Sequence, residues 1–217
     1  MRRTKEIPAR GSADSLRPRT QARGQARRRE ILATATSMFS ASGFNRVSIG
    51  DIAKEVGISQ AGILHYFPSK ADLLLEVLKD REASNQTART EYIAEGLHPL
   101  EAHIRTLKDN DASPEIVQLF VVLAGESAAT EHPGHEWFAE RNEKLYLWML
   151  RIMSDTIDET KLPAGVTIET VARWMVALPP GLGAKWMYDT EAFDRAGAVE
   201  LFVRMLRPYM KNDDSTN

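Results

Sequence analysis

The chain from Ser48 to Asp72 reads SIGDIAKEVGISQAGILHYFPSKAD and holds three helix starts within 22 residues. Ser48 and Ser69 each open an S-x-x-D pattern, in which the hydroxyl caps orphan amides and the carboxylate faces the positive end of the helix. Ser59 starts the helix between them. Gly57 suits the left-handed backbone that ends a helix, so residues 48–56 and 59–66 read as two short helices joined at Gly57-Ile58. Ile52, Ala53 and Val56, with Ile58, Ile63 and Phe67 after the turn, form an apolar set that can pack on Met38 and Phe39 upstream. This is the pattern of a helix-turn-helix whose supporting helix precedes it.

The supporting helix runs from Gln25, with Ile31, Ala35, Met38 and Phe39 recurring on one face, to a C-terminus near Gly43. Residues 1–22 carry Pro8, Gly11, Pro18 and scattered arginines without apolar periodicity, the composition of a disordered basic arm. On the second short helix, Gln60, Ala61 and Gly62 leave a slim uncharged face able to approach base edges, and Gln60 can pair bidentately with adenine. His65, Tyr66 and Lys70 follow as donors for phosphates, and the amides at the Ser48 and Ser69 caps favour anions. Charge agrees with this division. The 217-residue chain has a formal net charge of −2, yet residues 1–80 carry 14 Lys+Arg against 8 Asp+Glu and residues 81–217 carry 14 against 22. The basic part is the one suited to a polyanion, and a basic arm entering the neighbouring groove would add to it.

The run from Arg28 to Leu78 resembles the N-terminal DNA-binding domain of the TetR family of bacterial one-component regulators. The likeness is carried above all by residues 49–59 and by Leu64-His65-Tyr66-Phe67-Pro68-Ser69-Lys70-Ala71-Asp72-Leu73-Leu74. It implies an all-α homodimer, with an N-terminal three-helix helix-turn-helix domain and a larger C-terminal helical domain for ligand binding and dimerisation. It also implies that Ser48, His65, Tyr66 and Lys70 contact phosphates and that Gln60, Ala61 and Gly62 face bases. With Ser59, these are the candidate DNA-binding residues. The chain departs from the family at Leu64, where an aromatic phosphate contact is frequent, and at Gly50, where a longer polar residue is frequent.

The expected organisation is a basic arm over 1–22, a DNA-binding domain over 23–80, a helical ligand-binding and dimerisation domain over 81–210 and a polar tail over 211–217. Helices are expected at about 69–92, 98–109, 114–131, 134–160, 166–188 and 191–209, separated by Gly96 and Pro99, Ser113-Pro114, His132-Pro133-Gly134, Pro163-Ala164-Gly165 and Asp189-Thr190. With no cysteine in the chain, disulfides, thiolate metal sites and Cys nucleophiles are excluded. Glu131-His132-Pro133-Gly134-His135-Glu136 has ligand-type residues, but Pro133 and Gly134 interrupt any helix that would fix their spacing, so a polar turn is expected and no metal or cofactor. No G-x-S-x-G turn or preceding strand supports a Ser/His/Asp hydrolase, so the chain is not read as an enzyme. Apolar runs fall short of the roughly 20 residues that span a bilayer, and a cytoplasmic bacterial protein is expected.

Large soft residues gather late in the chain. Trp137, Phe138, Trp148, Met149, Met153, Trp174 and Met175 are candidates for a pocket taking an apolar or amphipathic small molecule. Val171, Leu178, Leu182 and Trp186, with Val199, Phe202, Val203 and Leu206, are candidates for a dimer interface, because the last helix is apolar on more than one side. Pro179-Pro180-Gly181 is expected to kink or split the preceding helix. The reading is a homodimeric repressor released from a palindromic double-stranded DNA operator by a small-molecule effector. The alternative is a helical small-molecule-binding protein or enzyme whose N-terminal unit is only an interaction module.

Overall fold

The computed structural model describes residues 17–211, and these form nine α-helices with no strand among them. They are α1 (Arg17–Arg46), α2 (Ile49–Val56), α3 (Gln60–Tyr66), α4 (Lys70–Ala94), α5 (Pro99–Asp111), α6 (Pro114–Glu126), α7 (His135–Thr156), α8 (Ile168–Trp186) and α9 (Arg195–Met205). The fold is all-α, as expected. Residues 1–16 of the expected arm, and 212–217 of the tail, lie outside the described residues. The rest of the arm is corrected: α1 begins at Arg17, so residues 17–22 are helical. The regular course of α1 is interrupted at Gly43, whose φ of 77° and ψ of 170° few other residues adopt.

The three serine caps form as the sequence indicates. Ser48 Oγ accepts from Asp51 N at 3.1 Å while Asp51 Oδ2 accepts from Ser48 N at 2.9 Å, a reciprocal capping box. Ser59 Oγ accepts from Gly62 N at 3.1 Å and Ser69 Oγ from Asp72 N at 3.0 Å. Gly57 is left-handed (φ 73°, ψ 34°), and the Ile58 amide closes back on the Ala53 carbonyl at 2.9 Å. The α2–α3 turn is therefore set by local chemistry before any packing is considered.

Two apolar cores hold the helices. The first joins Ile31, Ala35 and Phe39 of α1 to Ile52, Ile63, Phe67 and the start of α4, and it also takes in Leu119 and Leu123 of α6 and Phe138 of α7. The second fills the body around Leu100, Met149, Met153, Val171, Met175 and Val199. Helix α4 runs unbroken through residue 80, so the DNA-binding head and the body share one helix and part of one core.

Two further expectations change. The helix expected over 114–131 stops at Glu126, and the chain then turns on histidine bonds: Gly134 N donates to His132 Nδ1 at 3.1 Å, and His135 Nδ1 lies 2.9 Å from the Ser127 carbonyl. Pro179 and Pro180 do not split α8, which is continuous from Ile168 to Trp186. Its neighbours hold it: the Pro179 carbonyl accepts from Arg195 Nη1 at 3.3 Å, and at Gly183 α8 packs so tightly on α6 that a Cβ would lie 3.3 Å from Val117.

Candidate functional site

On the head, α3 is anchored by buried Ile63 and presents Gln60, Ala61, Leu64 and His65 to solvent. Residues 60 and 64, and 61 and 65, each sit one turn apart, so the four make one continuous surface. Leu64, read as a departure, is 42% exposed in the middle of this face, where an apolar side chain can meet a thymine methyl. Gly50 also finds a reason. A Cβ there would lie 2.8 Å from Gln60 Nε2, so the missing side chain makes room for the Gln60 amide. Gly62 is different, because a Cβ would meet only Ile58 and Ser59 at ordinary contact distances of 3.4 and 3.5 Å. Gly62→Ala should therefore leave the fold intact and raise head stability by about 0.5 kcal/mol through helix propensity, measurable by urea denaturation.

The phosphate candidates divide into two sets. Tyr66 lines a surface groove with Arg23 and Arg27 of α1, and Ser48 and His65 are exposed, as is Ser59, the remaining DNA-binding candidate. Lys70 points elsewhere: its ammonium lies 4.0 Å from the centroid of the Phe44 ring, and burial lowers its pKa despite the opposing charge of Glu126.

That placement exposes a junction that the sequence reading missed. Glu126, the last residue of α6, accepts from Phe44 N at 2.7 Å and from Asn45 N and Nδ2 at 3.4 and 3.3 Å. His132 Nε2 lies 3.8 Å away, and the His132 and Phe44 rings meet edge-on at 5.0 Å. Burial lowers the His132 pKa, opposed by Glu126 and assisted by Lys70. A carboxylate at a helix C-terminus runs against the helix dipole, and here the amides beyond Gly43 offset that cost. Glu126 thus latches the body to the head at the last turn of α1, beyond Gly43. Its partners are 81 and 82 positions away in sequence, so no local motif announces them.

Two cavities of the body bear on a ligand site. One, of about 270 Å³, lies among α5, α6, α7 and α8 and is mainly apolar, with Val117, Phe120, Phe138 and Val176 in its wall. The other, of about 290 Å³, lies between α4 and α7. Of the pocket candidates, Phe138 lines the first and Trp137 and Trp148 the second. Met149, Met153 and Met175 are fully buried in the body core and line neither of these cavities. Trp174 is 46% exposed on α8 with its ring against Phe202, and lines neither of these cavities.

The interface candidates split in the same way. Val171, Trp186, Val199 and Leu206 are buried within their own chain, and Trp186 Nε1 donates to the Thr190 carbonyl at 2.8 Å. Those four sit in the core of their own chain. Leu178, Leu182, Phe202 and Val203 are half-buried. The exposed apolar residues beside them are Trp174, Leu201 and Met205, the last two 56% and 71% exposed. Helical spacing located the two helices, but not which stripe faces inward.

Comparison with known proteins adds to this geometry. The profile for bacterial regulatory proteins of the tetR family matches residues 31–77, which run from the core of α1 to the first turns of α4. The N-terminal domain belongs to the TetR family. This TetR-type chain is 24% identical to the HTH-type transcriptional regulator AcrR of Shigella flexneri, over 87% of its own length and 91% of that protein. It is 35% identical to the HTH-type transcriptional repressor KstR2 of Mycolicibacterium smegmatis over 30% of its length and 32% of that protein. A TetR-family regulator from Agrobacterium tumefaciens superposes with a TM-score of 0.67 at 20% identity, covering 86% of this chain and 99% of that one. The TetR-type chain is a transcriptional regulator with a DNA-binding head. Among its described residues no helix is long and apolar enough to cross a membrane.

Proposed function

We propose that the protein is a homodimeric repressor that reads a pseudo-palindromic operator with α3 and releases it when a small molecule enters the body. The observation that carries the reading is the exposed face of Gln60, Ala61, Leu64 and His65 on a helix held by caps at both neighbouring elements. Gln60 and Leu64 read bases, while Ser48, Ser59, His65 and Tyr66, with Arg23 and Arg27, contact phosphates. Lys70 joins them only after leaving the Phe44 ring. The apolar ridge of Trp174, Leu201 and Met205 supports pairing of two chains through α8 and α9, which sets the spacing of the two reading helices.

The cavity and the latch lie on the same helix. Ile116, Val117, Phe120, Val121 and Ala124 of α6 line the 270 Å³ cavity, and Glu126 one half-turn later grips the head. A ligand that shifts α6 moves the head through Glu126. It needs only a preference for the conformer that does not bind DNA: about 1–3 kcal/mol of coupling lowers operator affinity roughly 5- to 150-fold.

Selection of bound DNA from a random pool tests the reading, and a two-fold symmetric consensus is the expected result. Salt-insensitive binding without sequence preference would sink it. Gln60→Ala should change the selected sequence and cost about 1–3 kcal/mol at one position per half-site. Leu201→Glu combined with Met205→Glu should yield a folded monomer in sedimentation analysis, with operator affinity lost. A dimer that survives both charges argues against this face as the interface.

A further inference from the structure

Around Arg141 the charges do not balance. Glu82 Oε2 accepts from Arg141 Nε at 2.7 Å, and its other oxygen, Oε1, accepts from Arg89 Nη2 at 3.1 Å. One carboxylate therefore serves two guanidiniums. The three side chains are 22%, 27% and 13% exposed for Arg141, Glu82 and Arg89, so water screens the surplus cation only weakly. The other ionic groups nearby are paired: Arg195 with Asp111, and Lys144 with Glu140. Arg141 and Leu145 line both cavities, which makes them a shared wall. Among the described residues, the two terminal nitrogens of Arg141 have no hydrogen-bond acceptor.

A second observation comes from another helix. His103 of α5 lines the 270 Å³ cavity, is 5% exposed, and has no hydrogen-bond partner for either ring nitrogen. A buried imidazole with both nitrogens unsatisfied is costly. It is kept neutral, with its pKa lowered to about 4 by burial and by the charges of Arg89 and Arg141. A neutral imidazole carries one N–H and can donate it to an oxygen.

We propose that the cavity binds an apolar monocarboxylate, whose body fills the space between α6 and α8 and whose carboxylate is held by the terminal nitrogens of Arg141 and by His103. The inference rests on the reading of the protein as ligand-responsive and names the class of ligand. The carboxylate neutralises the surplus guanidinium and supplies the acceptor that both side chains lack. The Phe120 ring, 4.9 Å from the Arg141 guanidinium carbon, holds that group at the edge of the apolar wall. An amine or a quaternary ammonium would add a cation to an unbalanced cationic cluster, so cationic ligands are rejected.

The test uses full-length protein and calorimetric titration with decanoate and 2-naphthoate, each beside the primary amide and the amine of the same body. At least one acid should bind roughly tenfold or more tightly than its amide, with the amine weakest, as expected for a charge-assisted bond. Arg141→Gln should weaken the acid roughly 10- to 100-fold and leave the amide within about twofold. His103→Phe keeps an aromatic ring, somewhat larger, removes the unsatisfied nitrogens and should weaken the acid roughly tenfold in a fully folded protein. Failure of both acids to bind, equal binding of acid and amide, or an acid preference that survives both substitutions overturns the proposal. Operator affinity measured in parallel separates the two readings. Acid binding that leaves DNA affinity unchanged removes the induction mechanism and keeps this site, whereas DNA release by the amine alone removes the site and keeps induction.

Discussion

Gly43→Ala should destabilise the protein by about 3 kcal/mol or more. Two costs combine. The backbone at φ 77° and ψ 170° belongs to a region almost reserved for glycine, worth about 1–3 kcal/mol for an L-residue. The added Cβ would also lie 2.5 Å from Glu126 Oε1, so the carboxylate must move away and leave the Phe44 amide without its 2.7 Å acceptor, at about 1–3 kcal/mol more. Urea denaturation of the two single variants and the double variant with Glu126→Ala separates these parts. The double variant should cost less than the sum of the singles, because the latch can be lost only once. Strict additivity would mean that Gly43 and Glu126 do not act on each other. In operator binding, Glu126→Ala should leave the apo protein able to recognise DNA while weakening its response to ligand.

His103 gives the second large effect, seen in acid. Burial is the main reason its pKa falls to about 4; the charges of Arg89, Arg141 and Arg195 add to this and Glu82 opposes it. Above pH 6.5 the residue is neutral in folded and unfolded chains, so it contributes no pH dependence. Between about pH 6.5 and 4 the unfolded chain takes up a proton that the folded chain refuses, and stability falls as the pH falls. At about 1.4 kcal/mol per pH unit, the loss by pH 4.5 is about 2–3 kcal/mol. His103→Phe should abolish that component. Its stability relative to the parent protein should rise by this amount between pH 7.5 and pH 4.5, and a pH-independent difference would contradict the assignment.

The head was legible because its signals are local. Ser48, Ser59 and Ser69 bond amides within three residues, and Gly57 turns the chain through its own backbone, so these elements fall within a residue or two of their expected bounds. The body is written in longer-range terms. Met149 and Trp148 are adjacent on α7, yet one is sealed in the core and the other lines a cavity. Hydrophobicity alone does not distinguish a side chain facing a neighbouring helix from one facing a void. The same limit moved Val199 into the core and left Met205 outside. Pro179 and Pro180 carry a strong local signal for a break, overruled by contacts from α6 and α9. His103 was visible as a residue, but its unpartnered state depends on what surrounds it in three dimensions.

Leu119, Leu123 and Phe138, contributed by α6 and α7, complete the core beneath α1 and α4. The reading head is therefore not a portable module. A chimera that grafts residues 17–80 onto another regulator's body inherits the specificity of Gln60 and Leu64 but loses three buried side chains and the carboxylate that grips Phe44. Exchanging DNA specificity between such proteins is better done on the surface of α3, where Gln60, Ala61, Leu64 and His65 can be rewritten without disturbing the seam through which the body controls the head.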